Sequence, residues 1–100
     1  MYNSIDDYLE VVRDNIPYLR SSCGIDANLY YWGLDEDSAV FLISGELIDN
    51  NLPNEVCRRI RRFYEDVLGK EFGEEDIKVD CEYNLNCDWF ELHIYEYSDE

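Results

Sequence analysis

Acid–base and nucleophilic chemistry in proteins draws mainly on imidazoles, thiols and paired carboxylates, and this chain holds one histidine, His93. His93 alternates with Trp89, Glu91 and Tyr95 along a strand-like pattern. That spacing predicts an outward-facing imidazole among acids, not a base set against a nucleophile. A cysteine nucleophile would need Cys23 or Cys57 beside it, and no spacing in the chain brings them together.

The four cysteines, Cys23, Cys57, Cys81 and Cys87, match no common zinc-ligand spacing. They are expected as reduced thiols packed like small apolar side chains. The alternative is a cross-strand disulfide between Cys81 and Cys87, which requires the two to face each other in a hairpin. With 24 Asp and Glu in 100 residues, neighbouring carboxylates arise by chance and carry no signal of their own. Asp35-Glu36-Asp37-Ser38 lacks the glycine and the distal bidentate glutamate of a calcium loop. The five glycines form neither a dinucleotide fingerprint nor a phosphate loop. The expectation is a non-enzymatic protein with no cofactor, no metal and no catalytic residue.

Charge is the dominant feature. Against the 24 acids stand eight Lys and Arg, a formal net charge of −16. Aromatic residues make up 15% and apolar residues 46%, so a folded core is expected despite the repulsion, and the length suits one domain, 1–100. Such a field attracts basic partners and repels nucleic acid and anionic membranes. A solubility role or a halophilic source is the plainer reading of the acidity, but nine Tyr and four Cys weigh against that source. Met1 to Glu10 carries acids where a leader would have a basic and then an apolar run, and no apolar stretch approaches the roughly 20 residues of a membrane span. The expected compartment is the cytoplasm, the host's if the gene is carried by a phage.

The elements that must position these groups follow from periodicity. Residues 4–20 read as an amphipathic helix, capped by Ser4 with Asp7 and broken near Asn15 by Pro17; Gly24 ends it. Asn28–Gly33 and Ser38–Ile43 read as strands of a hairpin closed by Gly45 and Asp49-Asn50-Asn51. A second helix is expected from Pro53 to just before Gly69, with Val56, Ile60, Phe63 and Val67 buried. Ile77–Tyr83 and Trp89–Tyr97 form a final hairpin around Asn84-Leu85-Asn86. The α-β-β-α-β-β order predicts an α+β fold: a four-stranded, mostly antiparallel sheet with two helices packed on one face.

Residues 51–69 hold four basic and three acidic side chains, leaving −17 for the rest of the chain. Within that helix Arg58, Arg59, Arg61 and Arg62 are expected to pair with acids of adjacent elements, each exposed pair contributing about 0–1 kcal/mol. The recognition surface is expected elsewhere, in three places. Asp7, Glu10 and Asp14 lie on one side of the first helix, about 4.5 and 6 Å apart along its axis. Asp35, Glu36 and Asp37 form the tip of the first hairpin. Trp89, Glu91, Tyr95 and Tyr97 share the outward face of the last strand. Aromatics anchor protein interfaces while acids steer and register them.

In size, charge and aromatic content the chain resembles the small acidic inhibitors of phages and mobile elements: anti-CRISPR proteins, anti-restriction proteins and uracil-DNA glycosylase inhibitors, several of which imitate nucleic acid. It equally resembles the acidic immunity proteins that neutralise basic nuclease toxins. The expected partner is therefore a basic nucleic-acid-binding protein or complex, a CRISPR effector or nuclease foremost, with no direct contact to nucleic acid. An immunity protein or antitoxin, and an acidic subunit of a larger complex, are the alternatives.

Overall fold

Pro17 divides the first helical segment in the computed structural model, which describes residues 5–35, 38–73 and 77–96. Helix α1 (Ile5–Asn15) gives way to a 3-10 turn at Ile16–Tyr18, and α2 (Leu19–Cys23) then resumes the helix. The break falls where the missing proline N–H predicts it, with Asn15 preceding the tight turn. Gly24, left-handed at φ 81°, ends the segment. Ser4, the expected cap, lies outside the described residues.

Four strands follow: β1 (Ile25–Leu34), β2 (Ser38–Leu47), β3 (Ile77–Asn84) and β4 (Trp89–Glu96). They form one antiparallel sheet in the order β1-β2-β4-β3, so the C-terminal strand lies in the interior. The architecture is the α+β arrangement that the α-β-β-α-β-β pattern predicts. Both strands of the first hairpin are longer than periodicity suggested. Gly45 does not close the hairpin but pairs with Ala27 inside it, at φ 154°. A Cβ there would sit 2.1 Å from the Asp26 carbonyl oxygen, so glycine permits the close approach of the two backbones. The unit is closed by Asp49 and Asn50, both at positive φ.

Helix α3 (Pro53–Phe72) passes through Gly69 and stops at Gly73, whose left-handed backbone donates its N–H to the Gly69 carbonyl at 2.9 Å. The extra turn carries Phe72, which meets Tyr8 of α1 edge to face at 5.5 Å between ring centres. The fully buried row is Val56, Ile60, Tyr64 and Leu68, with Cys57 beside it. Phe63 and Val67, expected in that row, are half-buried on its flank. Tyr64 wins the central place because its ring fills the core while its hydroxyl donates to the Val12 carbonyl of α1 at 3.0 Å.

The helices cover one face of the sheet, α1 and α2 over β1 and α3 over β3. Between the layers lie Phe41, Ile43, Phe90, Leu92, Ile94 and Val79, all essentially inaccessible. The last hairpin turns on Asn84, whose Oδ1 accepts the N–H groups of Asn86 and Cys87 at 3.0 and 3.2 Å. Cys87 is exposed in that turn, whereas Cys81 stands opposite Leu92. The Cys81–Cys87 disulfide is therefore excluded, and all four cysteines are free thiols.

Candidate protein-binding face

Alternation along β4 sends Phe90, Leu92 and Ile94 into the core and leaves Trp89, Glu91, His93 and Tyr95 on the face that no helix covers. Strand pairing completes the rows: Glu91 stands between Leu42 and Glu82, His93 between Val40 and Asp80, and Tyr95 between Ser38 and Lys78. At the β1 side, the register shifts between Leu29 and Tyr31, leaving Tyr30 as an extra residue. Tyr30 approaches Trp89 at 5.7 Å between ring centres, and Tyr31 pairs with Leu42. Tyr30 and Tyr31 are 66% and 56% exposed, a large aromatic surface to leave in water.

Glu91 is the polar hub of this face. Its Oε2 accepts the indole N–H of Trp89 at 3.1 Å and the amide of Asn84 at 3.4 Å, and its Oε1 lies 3.5 Å from His93 Nε2. Partial burial acts to raise its pKa, but those contacts outweigh it and hold the carboxyl below the usual glutamate range. The His93 contact is long, and Nε2 has no hydrogen-bond partner among the described residues. On the other side of the ring, Nδ1 lies 3.4 Å from Ser38 Oγ, and the ring stacks on Tyr95 at 6.1 Å.

Ser38, His93 and Glu91 thus form a chain with the composition of a catalytic triad. Ser38 is 8% exposed within β2, and both imidazole contacts are at the long limit of hydrogen bonding. What the chain does is fix the imidazole plane, and with it Tyr95, against the sheet. His93 is outward-facing as the alternation predicted, but its neighbours enclose it to 15% side-chain exposure.

The structure brings together Trp89, Glu91 and Tyr95 of the expected recognition residues. Asp7, Glu10 and Asp14 are exposed on α1, in the helical layer on the opposite side of the sheet. Asp35 is exposed beside the β1–β2 connection, at the Tyr95 end of β4. Glu36, Asp37 and Tyr97 lie outside the described residues. One flat partner surface cannot bury the α1 acids and the β4 row together. Sequence reading missed Tyr30, Tyr31, Leu42 and Glu82 as members of the open face; a helix-free side for the β1 aromatics was the available signal.

The arginines of α3 depart from expectation. Among the described residues none of Arg58, Arg59, Arg61 and Arg62 has a carboxylate oxygen within 4 Å; the ion pairs are Arg20–Asp26, Lys70–Asp66 and His93–Glu91. Two nearby choices explain part of this. Arg59 Nη1 donates to Asn51 Oδ1 at 2.9 Å, and Asp66, four residues beyond Arg62, is held by Lys70 at 3.2 Å.

Among the described residues no helix is long and apolar enough to cross a membrane, and no three His, Cys, Asp or Glu side chains converge to hold a metal ion. Comparison with protein-family models, with curated proteins and with solved structures finds no match to the chain.

Proposed function

We propose that this protein acts without catalysis, as a cytoplasmic acidic inhibitor that binds and blocks a basic nucleic-acid-handling protein of the CRISPR-effector or restriction type. One observation carries the reading: an uncovered sheet face that Tyr30, Tyr31, Trp89 and Tyr95 share with Glu91 and with the edge-strand acids Glu82 and Asp80. Aromatic anchors within a field of carboxylates suit a partner surface built of Lys and Arg. The net charge of −16 supports fast, salt-sensitive association with such a surface and opposes contact with nucleic acid itself.

The test is binding to a purified CRISPR effector and to a purified basic nuclease, read as association rate against salt and as loss of the partner's nucleic-acid binding. Association should slow steeply as salt rises. Glu82→Lys should lower the association rate, and Trp89→Ala should raise the dissociation rate, each by about tenfold or more. Inhibition that survives both substitutions unchanged overturns the open face as the interface. Charge reversal of Asp7, Glu10 and Asp14 then decides whether the α1 side serves instead.

A further inference from the structure

We infer that α3 carries a binding site for a phosphoryl oxyanion, formed by Arg58, Arg59 and Arg62. The inference is independent of the proposed partner and concerns the other side of the molecule. Arg62 lies four residues from Arg58 and three from Arg59, so the three side chains share one face of the helix. Together with Glu55 they line an open hollow of about 300 Å³. All three are exposed, and among the described residues none is paired with a carboxylate, in a chain that carries 24 of them. The fold thus withholds from these guanidiniums the counter-ion it has in greatest supply. Glu55, the acid within the hollow, lines it without coming into ion-pair range.

The chemistry of the three groups selects the ligand. A guanidinium presents a planar fork of N–H donors that matches a pair of oxygens on a phosphoryl group. A phosphate monoester offers three strong acceptor oxygens and nearly two negative charges at neutral pH, enough to engage three forks. Arg59 is already oriented by its bond to Asn51 Oδ1, so part of the site is preorganised before a ligand arrives. The acidic field elsewhere on the molecule does not forbid this. At about 0.1 M salt, charges more than about 10 Å away are largely screened, and α3 holds five of the eight basic residues. The local balance of three arginines against Glu55 decides.

Arginine Nε–Hε resonances, followed by NMR while inorganic phosphate replaces chloride at constant ionic strength, test the site. Saturable shifts confined to Arg58, Arg59 and Arg62 are expected. The double variant Arg58→Gln/Arg62→Gln should weaken binding by about tenfold or more, with the amide resonances of buried Val12 and Ile60 unmoved as evidence of an intact fold. Glu55→Gln should tighten it roughly two- to fivefold. Shifts that stay linear in phosphate, that chloride reproduces, or that persist in the double variant overturn the site. A nucleoside monophosphate in a second titration identifies the source of the group: equal affinity points to free phosphate, tighter binding to a nucleotide.

Discussion

The sulfur atoms of Cys57 on α3 and Cys81 on β3 lie 3.7 Å apart, with the Cys81 thiol donating to Cys57. That hydrogen bond is the chief influence on Cys57 and lowers its pKa against burial and the nearby Glu82 and Asp80. Giving the same hydrogen bond, together with burial, keeps Cys81 protonated far above the ordinary thiol range. Of the two, Cys57 is thus the more readily deprotonated, with Cys81 beside it as a resolving thiol. Hydrogen peroxide should oxidise Cys57 to the sulfenic acid; Cys81 then displaces its oxygen as water and closes a disulfide. Mass spectrometry should find one Cys57–Cys81 cross-linked peptide and two remaining thiols. Closing the loop between helix and sheet should add about 3 kcal/mol to stability in urea. Oxidation that yields only Cys87-linked dimers contradicts the arrangement.

Two glycines should respond to alanine in opposite directions. At Gly45 a methyl group would press 2.1 Å from the Asp26 carbonyl oxygen, a backbone atom that moves only by parting β1 from β2. Gly45→Ala should cost about 2–4 kcal/mol. At Gly69, inside α3, the added methyl meets nothing within 4 Å. Gly69→Ala should stabilise by about 0.5–1 kcal/mol through helix propensity alone. Urea midpoints measure both, and a shared sign would show that one of the two backbones is misassigned.

Stability should decline in alkali for a reason located at the join of α2, α3 and the sheet. Burial drives the Tyr64 hydroxyl far above its ordinary value of 10, and pushes the Cys23 thiol from 9 up to about 11 despite the lowering influence of Arg59. The unfolded chain releases these protons at the ordinary values while the folded chain keeps them. The folded state then binds more protons, so stability is full below about pH 9 and falls as pH rises through 11. Tyr64→Phe should cost about 1 kcal/mol at neutral pH by stranding the Val12 carbonyl, yet flatten the alkaline decline. Urea unfolding from pH 8 to 11 reads both effects; an unchanged slope in the variant would assign the decline to other groups.

Local pattern was enough to place every element in order, because each helix or strand shows its own period and its own breaker: Pro17 and Gly24, Pro53, Asn84. It failed where packing, not pattern, sets the outcome. Val56 and Ile60 fit a stripe continued by either Phe63 and Val67 or Tyr64 and Leu68, and only contact with α1 and β3 selects the second. Gly69 reads as a helix stop until Phe72 finds Tyr8. For the site, alternation along β4 gave Trp89, Glu91, His93 and Tyr95 one face. That Ser38 would lie against His93, or Tyr30 against Trp89, depends on strand pairing and a bulge between distant segments. The unpaired state of Arg58 and Arg62 turns on competitors, Lys70 among them, that a charge count does not rank.

The Trp89–Glu91 contact offers a test of how the open face is held together. Against partial burial, donors from Trp89 and Asn84, with His93 close by, keep Glu91 below the ordinary glutamate pKa of 4.5. A glutamate depressed in the folded state contributes stability above the unfolded value, and that contribution is lost as pH falls through the folded one. Trp89→Phe keeps a ring beside Tyr30 but removes the indole N–H, the shortest of the three contacts at 3.1 Å. Glu91 should then titrate at higher pH, neutral-pH stability should fall by about 1 kcal/mol, and acid unfolding should begin earlier. Carboxyl NMR titration of both proteins reads the shift directly. If Glu91 titrates at the ordinary value before and after the substitution, the carboxylate is solvated, and the face presents a mobile acid instead of one held by Trp89 and Asn84.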